Sequence, residues 1–343
     1  MARLLLTGDV NLMNVTDPEV PFRRVIHEFR AADLVFSNLE CCLYAPDRAH
    51  SFHNEGFYAD PVMAAAALAP IAVVGTANNV NYGDAAILGS LARLDAAGIA
   101  HTGSGRDRTA AAAPAIVERG GIRYGFLQRS SVYWPTNHEA GPNDPGIAVI
   151  RAHTAYQVPM HKIRPEIPPM NRPGIPPVVV TWADPDSLRM FAADIAALRR
   201  NCDIAVASLH WGLGRDTLQY MRDIAHAAID AGADIVIGHG PHYSLEIEAY
   251  RGKPIFYGLG SFSFHTGHGG RAHGDWIGMM ARADIARDGL RSAGFRFARH
   301  NAGNETVLCA LADEPADLAD IVKRSAANGT RLEVSGDAVN VVL

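Results

Sequence analysis

Short apolar runs alternate along the chain with longer stretches in which apolar residues recur every three or four positions. Runs over 4–7, 34–37, 71–75, 122–127, 204–209 and 235–237 have the length and branched content of buried strands. Between them, Phe22, Val25, Ile26 and Phe29 fall at helical spacing within 22–32. A short Ala-rich helix is predicted over 62–68, and longer ones over 85–97, 188–200 and 217–231, with Gly98 and Gly232 as stops. Strand-helix alternation of this kind predicts an α/β core. Beyond about residue 253 the texture changes. Runs over 255–257, 278–285, 292–298 and 305–311 read as strands separated by turn residues, which predicts a second, mostly antiparallel sheet. A last helix over 315–326 starts at Pro315, where the missing N–H costs nothing, and a strand over 331–334 follows.

One stretch breaks the rhythm. Pro159, Pro165, Pro168, Pro169, Pro173, Pro176, Pro177 and Pro185 crowd into 158–186. That density forbids a helix or a central strand and predicts a surface excursion or a loop shaping a cleft. The whole of 1–343 is read as a single domain carrying this excursion.

Composition narrows the classes. With 48% apolar and 20% charged residues in 343, the chain can build a globular core. A net charge of -5 gives no electrostatic reason for nucleic-acid binding. No apolar run reaches the length of a membrane span, and the first run leads into an acidic turn rather than a cleavage site. Cys41, Cys42, Cys202 and Cys309 form no CxxC, so reduced, packed thiols in a cytoplasmic protein are expected. Nothing in the pattern fixes an oligomeric state.

The chemistry concentrates at strand ends. Asp9 follows the first strand, Asn38 and Glu40 the second, and Asn78 and Asn79 the third. His210 follows the strand over 204–209, and His239 and His242 the one over 235–237. In an α/β sheet such ends converge on one edge, where ligands bind. Oxygen and imidazole donors without thiolates suit Mn, Zn or Fe. Their number favours two divalent ions sharing a bridge, an arrangement used to hydrolyse phosphate and amide bonds.

The residues Gly8-Asp9, Asn38-Leu39-Glu40, Ala77-Asn78-Asn79, His210-Trp211-Gly212, 232–242 (GADIVIGHGPH) and 253–262 (KPIFYGLGSF) resemble the CapA (poly-γ-glutamate capsule biosynthesis) family, over residue 4 to about 264. The resemblance implies a metallophosphoesterase-like fold, a four-layer α/β/β/α sandwich with a dinuclear site between the sheet edges. It implies Asp9, Glu40 or Asn38, Asn79 or Asn78, His210, His239 and His242 as metal ligands. Three positions depart from the family pattern. Asn11 stands where Asp-x-His is usual, Val80 where Asn-Asn-His is usual, and Ser261 where Leu-Gly-Asn-Phe is usual. In phosphoesterases of the superfamily the histidine missing at Val80 assists the leaving group, help worth about 10²–10⁴-fold.

Asp9, His138, His265 and His268 are therefore expected in catalytic roles, the histidines replacing the one missing. Asn11, Tyr82, Trp211, His273 and Ser261 are expected to line the substrate cleft. The expected function is metal-dependent hydrolysis of a peptide, amide or γ-glutamyl substrate. The alternatives are Cα epimerisation of a peptide, phosphoester hydrolysis, and a binding module with a relict site. No phosphate loop, dinucleotide fingerprint or nucleophile elbow is present.

Overall fold

The computed structural model describes residues 1–46, 56–134, 138–157, 176–267, 271, 273–274, 276–287 and 289–343. Two large sheets dominate. The first has ten strands, with a path running Leu332–Ser335, Ala338–Val341, Gly289–His300, Gly278–Ala286, Ala2–Asn11, Leu34–Leu39, Val73–Gly75 and Ala100–Thr102. Ser261–Phe264 joins it beside Ala2–Asn11, and Thr306–Leu308 beside Gly289–His300. The second has six strands in the order Ile247–Tyr250, Lys253–Phe256, Ile235–His239, Ile204–His210, Ile122–Ser130 and Ala115–Arg119.

Both faces of each central strand are buried, which is why these segments read as unbroken apolar runs. Leu4, Leu6 and Phe36 on the first sheet share a core with Phe126, Val206 and Ile237 on the second. The rings of Phe36 and Phe126 stack there, 5.1 Å between centroids. Leu5, Val35 and Val74 turn the other way and pack on Phe29, Ala64 and Leu94 of the helices Ile26–Ala31, Pro61–Ala67 and Asp84–Ala96. On the second sheet, Leu127, Ala205 and Val236 pack on Ile195, Leu198 and Ile224 of Pro185–Arg199 and Gln219–Asp230. Each fully buried Leu, Ile or Phe contributes about 1.5–3 kcal/mol.

The C-terminal strands correct one expectation. They build no separate sheet. Gly278–Ala286 pairs antiparallel with Ala2–Asn11, so they extend the first sheet, while Lys253–Phe256 pairs parallel with Ile235–His239 in the second. The cause is the open edge of Ala2–Asn11, whose buried N–H and C=O groups need partners. The helix expected over 22–32 shortens to Ile26–Ala31, because Val25 at its N-cap offers no side-chain oxygen to the first N–H groups. The proline-rich excursion also ends earlier than 186. Val178–Ala183, free of proline, pairs antiparallel with Ala152–Gln157, and Pro185 opens a helix. Residues 158–175, with most of the prolines, lie outside the described residues. No described helix is long and apolar enough to cross a membrane.

Candidate metal centre

The first acidic group is aimed by a break in strand register. Ala2–Asn11 shifts against Leu34–Leu39 between Thr7 and Asp9, and against Ser261–Phe264 between Asp9 and Val10. Such bulges re-aim side chains beside functional sites. Glycine is required at the bulge, since a Cβ on Gly8 would lie 1.9 Å from the Gly260 carbonyl oxygen. Asp9 thereby stands level with Asn38 on the neighbouring strand, and Glu40 follows two residues on. In the second sheet His210 and His239 stand side by side at the ends of parallel strands. The chain then turns through Gly240, at φ 103°, to His242, a non-glycine residue held at φ 61°. Strained backbone of this kind persists where its surroundings over-determine it.

These ends converge. His239 Nδ1 lies 3.3 Å from Asp9 Oδ1, and His242 Nδ1 lies 3.2 Å from Asp9 Oδ2. His242 Nε2 is 3.6 Å and His210 Nε2 3.9 Å from Glu40 Oε1. Asp9, Glu40, His210 and His239 are buried, whereas the His242 side chain is 28% exposed and forms the open side. Burial works to raise the Asp9 carboxyl, but the imidazoles of His239 and His242 together hold it well below the usual range. Burial and the adjacent Asp9 charge push Glu40 well above. Burial also lowers His210 to about 3, so its ring is neutral.

The donor set fits a cation. His210 Nε2 and both ring nitrogens of His239 are buried without a hydrogen-bond partner among the described residues. Orphaned buried polar atoms are costly, and a bound ion would relieve them. The tautomer of His210 follows from its other side. The Ser130 hydroxyl donates to the Val132 carbonyl at 2.6 Å, so at 3.2 Å it accepts from His210 Nδ1, and Nε2 keeps its lone pair.

Asn38 braces the acids rather than facing an ion with its oxygen. Its Nδ2 donates to Asp9 Oδ1 at 2.9 Å and lies 3.4 Å from Glu40 Oε2, while its Oδ1 accepts from Gln128 at 2.9 Å. Gln128 and Ser130 are the residues that strand-end reasoning missed. The available signal was a polar Gln-Arg-Ser run inside an otherwise buried strand. Gln128 joins the two sheets, reaching Asn38, Ser208 and the Ala77 N–H.

Several expected site residues are engaged elsewhere. Asn78 donates to the Leu39 carbonyl and accepts from the Val80 and Asn81 N–H groups, so its amide holds a turn. Asn79 beside it is half-buried, with no side-chain hydrogen bond among the described residues. Asn11 is tied to Thr266 and Met13 main chain. Trp211 is wholly buried, stacked on Tyr257 and bonded to its carbonyl, which makes it core rather than cleft. His138 is locked by the main chain at both nitrogens, accepting from Trp134 N–H and donating to the Asn81 carbonyl, and burial lowers it to about 4. Neither nitrogen is free to deliver a proton. Tyr82 packs on the His138 ring. Ser261 is fully buried, 3.4 Å from His242 Nδ1, whereas the part-exposed His273, its ring 5.3 Å from that of His242, borders the open side. The His265 ring faces His300, 6.1 Å away, and His268 lies outside the described residues. Cys41 and Cys42 are buried, with thiols pushed up to about 12, and serve packing.

Comparison with known proteins agrees with the motifs. A protein of Mycobacterium tuberculosis named "Probable polyglutamine synthesis accessory protein" is 32% identical over 244 residues, 68% of this chain and 56% of that one. The PGA biosynthesis protein CapA of Bacillus subtilis is 41% identical over 99 residues, 28% of this chain and 24% of its own length. A solved structure of a hypothetical protein from Thermus thermophilus aligns at TM-score 0.48 and 12% identity, covering 87% of this chain and all of its own. The chain spans little more than half the length of its mycobacterial relative. The model of the family described as bacterial capsule synthesis protein PGA_cap matches residues 3–266, which include every strand end of the centre, and the chain belongs to that family.

Proposed function

We propose that this protein is a metal-dependent enzyme of the four-layer α/β/β/α metallophosphoesterase type, holding two divalent ions and hydrolysing an amide bond in a peptide or γ-glutamyl substrate. One observation carries the reading: two buried carboxylates, Asp9 and Glu40, face three imidazoles, and His210 Nε2 and both ring nitrogens of His239 have no hydrogen-bond partner among the described residues. The substrate class follows the names of the relatives, which tie those proteins to polyglutamine and PGA synthesis. Divalent ions at these donors would polarise a carbonyl and acidify a water. The chain's own part is to hold the donors. Asn38 and Gln128 fix both carboxylates, and Ser130 fixes the His210 lone pair. The substrate enters past His242 and His273, the open side. The test is metal analysis of protein purified without chelator, followed by assay on γ-glutamyl amides and peptides. Bound transition metal is expected, lost in Asp9→Asn and His239→Ala, with hydrolysis abolished by chelation. Absence of metal with turnover indifferent to chelator overturns the reading.

A second reading, Cα epimerisation of a peptide, is favoured by Val80. This side chain is 1% exposed and packs in the apolar cluster with Leu39 and Phe57. The position that assists a leaving group in related phosphoesterases therefore supplies no proton, and epimerisation has no leaving group. Mass spectrometry of peptides incubated in D₂O separates the two. Deuterium at Cα without cleavage selects epimerisation, and cleavage selects hydrolysis.

A further inference from the structure

A cavity of about 280 Å³ lies on the outer side of the second sheet, against the first half of the helix Pro185–Arg199. Arg108, Arg129 and Arg151 line it together with Glu139 and Asp194. Alternation along Ile122–Ser130 separates it from the metal centre. Gln128 and Ser130 reach the centre, and Arg129 between them points the opposite way. No residue of the metal centre borders the cavity.

The Arg129 side chain is 4% exposed. It donates to the Gln128 carbonyl at 2.8 Å, the Ala112 carbonyl at 3.2 Å and Asp194 Oδ2 at 2.7 Å. A guanidinium has five N–H donors, so two remain. Arg151 donates to Glu139 Oε2 at 2.5 Å with one nitrogen. Arg108 is exposed at the start of a short helix, and its side chain pairs with no described residue. Three guanidinium groups against two carboxylates leave one positive charge. Ile147 and Phe191 add apolar wall with no competing acceptor.

We propose that this cavity binds a small carboxylate-bearing ligand, an amino acid derivative or the free end of a short peptide. The single residual charge matches a monoanion better than a phosphate dianion. Planar guanidinium groups fit the two oxygens of a carboxylate in a fork. The volume lies just under the range of drug-sized sites, which begins at roughly 300 Å³, and so suits a ligand smaller than those.

The test is calorimetric titration of the full chain, in chelator, with N-acetyl-L-alanine, its neutral amide and inorganic phosphate. Chelator makes the outcome independent of the proposed metal chemistry. Saturable binding of N-acetyl-L-alanine is expected, with none of the amide and weaker binding of phosphate. Arg151→Gln should weaken the carboxylate about tenfold or more, the loss of one charge-assisted pair. Arg108→Ala, which breaks no hydrogen bond or ion pair among the described residues, should weaken it too, with Arg108→Lys restoring part of the affinity, so the test survives if Arg151→Gln fails to fold. No binding of the carboxylate, equal binding of the amide, tighter binding of phosphate, or unchanged affinity in the folded variants overturns the proposal.

Discussion

Glu40 is buried beside Asp9, and both conditions disfavour its charge, so its carboxyl is held well above the usual range. A cation entering the site must displace that proton. Below the raised pKa Glu40 is protonated and a poor donor; above it the oxygen is anionic. Apparent metal affinity should therefore rise with pH. Titration of Mn²⁺ or Zn²⁺ between pH 5.5 and 8 is expected to show that slope in the native chain and a flatter one in Glu40→Gln. Gln128 is the second decisive side chain. Gln128→Leu leaves the Asn38 oxygen and the Ala77 N–H buried without their partner. A loss of about 1–3 kcal/mol per orphaned group is expected in urea unfolding, and metal affinity should drop about 10–100-fold. The sequence motifs could not separate Asn38 from Glu40, or Asn78 from Asn79, because both members of each pair carry ligand-type oxygens, while partners that decide between them, such as Gln128 for Asn38 and Leu39 for Asn78, come from distant segments.

Strands and turns carry the next level of the design. The bulge at Gly8–Asp9 gives the first motif its purpose, since it lets one strand meet two partners in different register and still present a carboxylate. Gly8→Ala would drive a methyl into the Gly260 carbonyl. Destabilisation of about 2–3 kcal/mol or more is expected, read as a lowered thermal midpoint with metal uptake lost in the same variant. Central strands such as Ile204–His210 were readable because burial on both faces demands an unbroken apolar run. Ala100–Thr102, Ala115–Arg119 and Ala152–Gln157 were not readable, because edge strands keep polar or exposed positions that resemble loop. The pair Ala152–Gln157 and Val178–Ala183 is anchored by the buried Thr181 and Ala183, while Val178, Val180 and Trp182 face outward at 59%, 41% and 41% exposure. Val180→Thr should therefore change unfolding free energy by no more than about 0.5 kcal/mol.

Two sheets of different connectivity meet at the centre of the molecule, and the stability of that junction depends on pH. His210 and His138 have native pKa values lowered by burial to about 3 and about 4. The unfolded chain, with ordinary histidines near 6.5, binds more protons in that window. Without metal, the two rings should cost stability as pH drops from 6.5 toward 4, each up to about 1.4 kcal/mol per pH unit, opposed in part by Glu40, whose raised carboxyl pKa favours the fold at lower pH, so that a net fall remains. Urea midpoints measured in chelator from pH 7.5 to 4.5 check this, and a flat profile would contradict the neutral state of both rings. Apolar periodicity along the chain was enough to predict an α/β protein, most of its buried strands and five strand ends bearing metal-type donors, because burial and alternation are local constraints written residue by residue. Which sheet each C-terminal strand joins, which amide braces and which histidine is locked by main chain were settled only on folding. Those outcomes depend on partners far along the chain, as Asn38 to Gln128 across 90 positions and His138 to Asn81 across 57 illustrate, and no local pattern encodes such a distance.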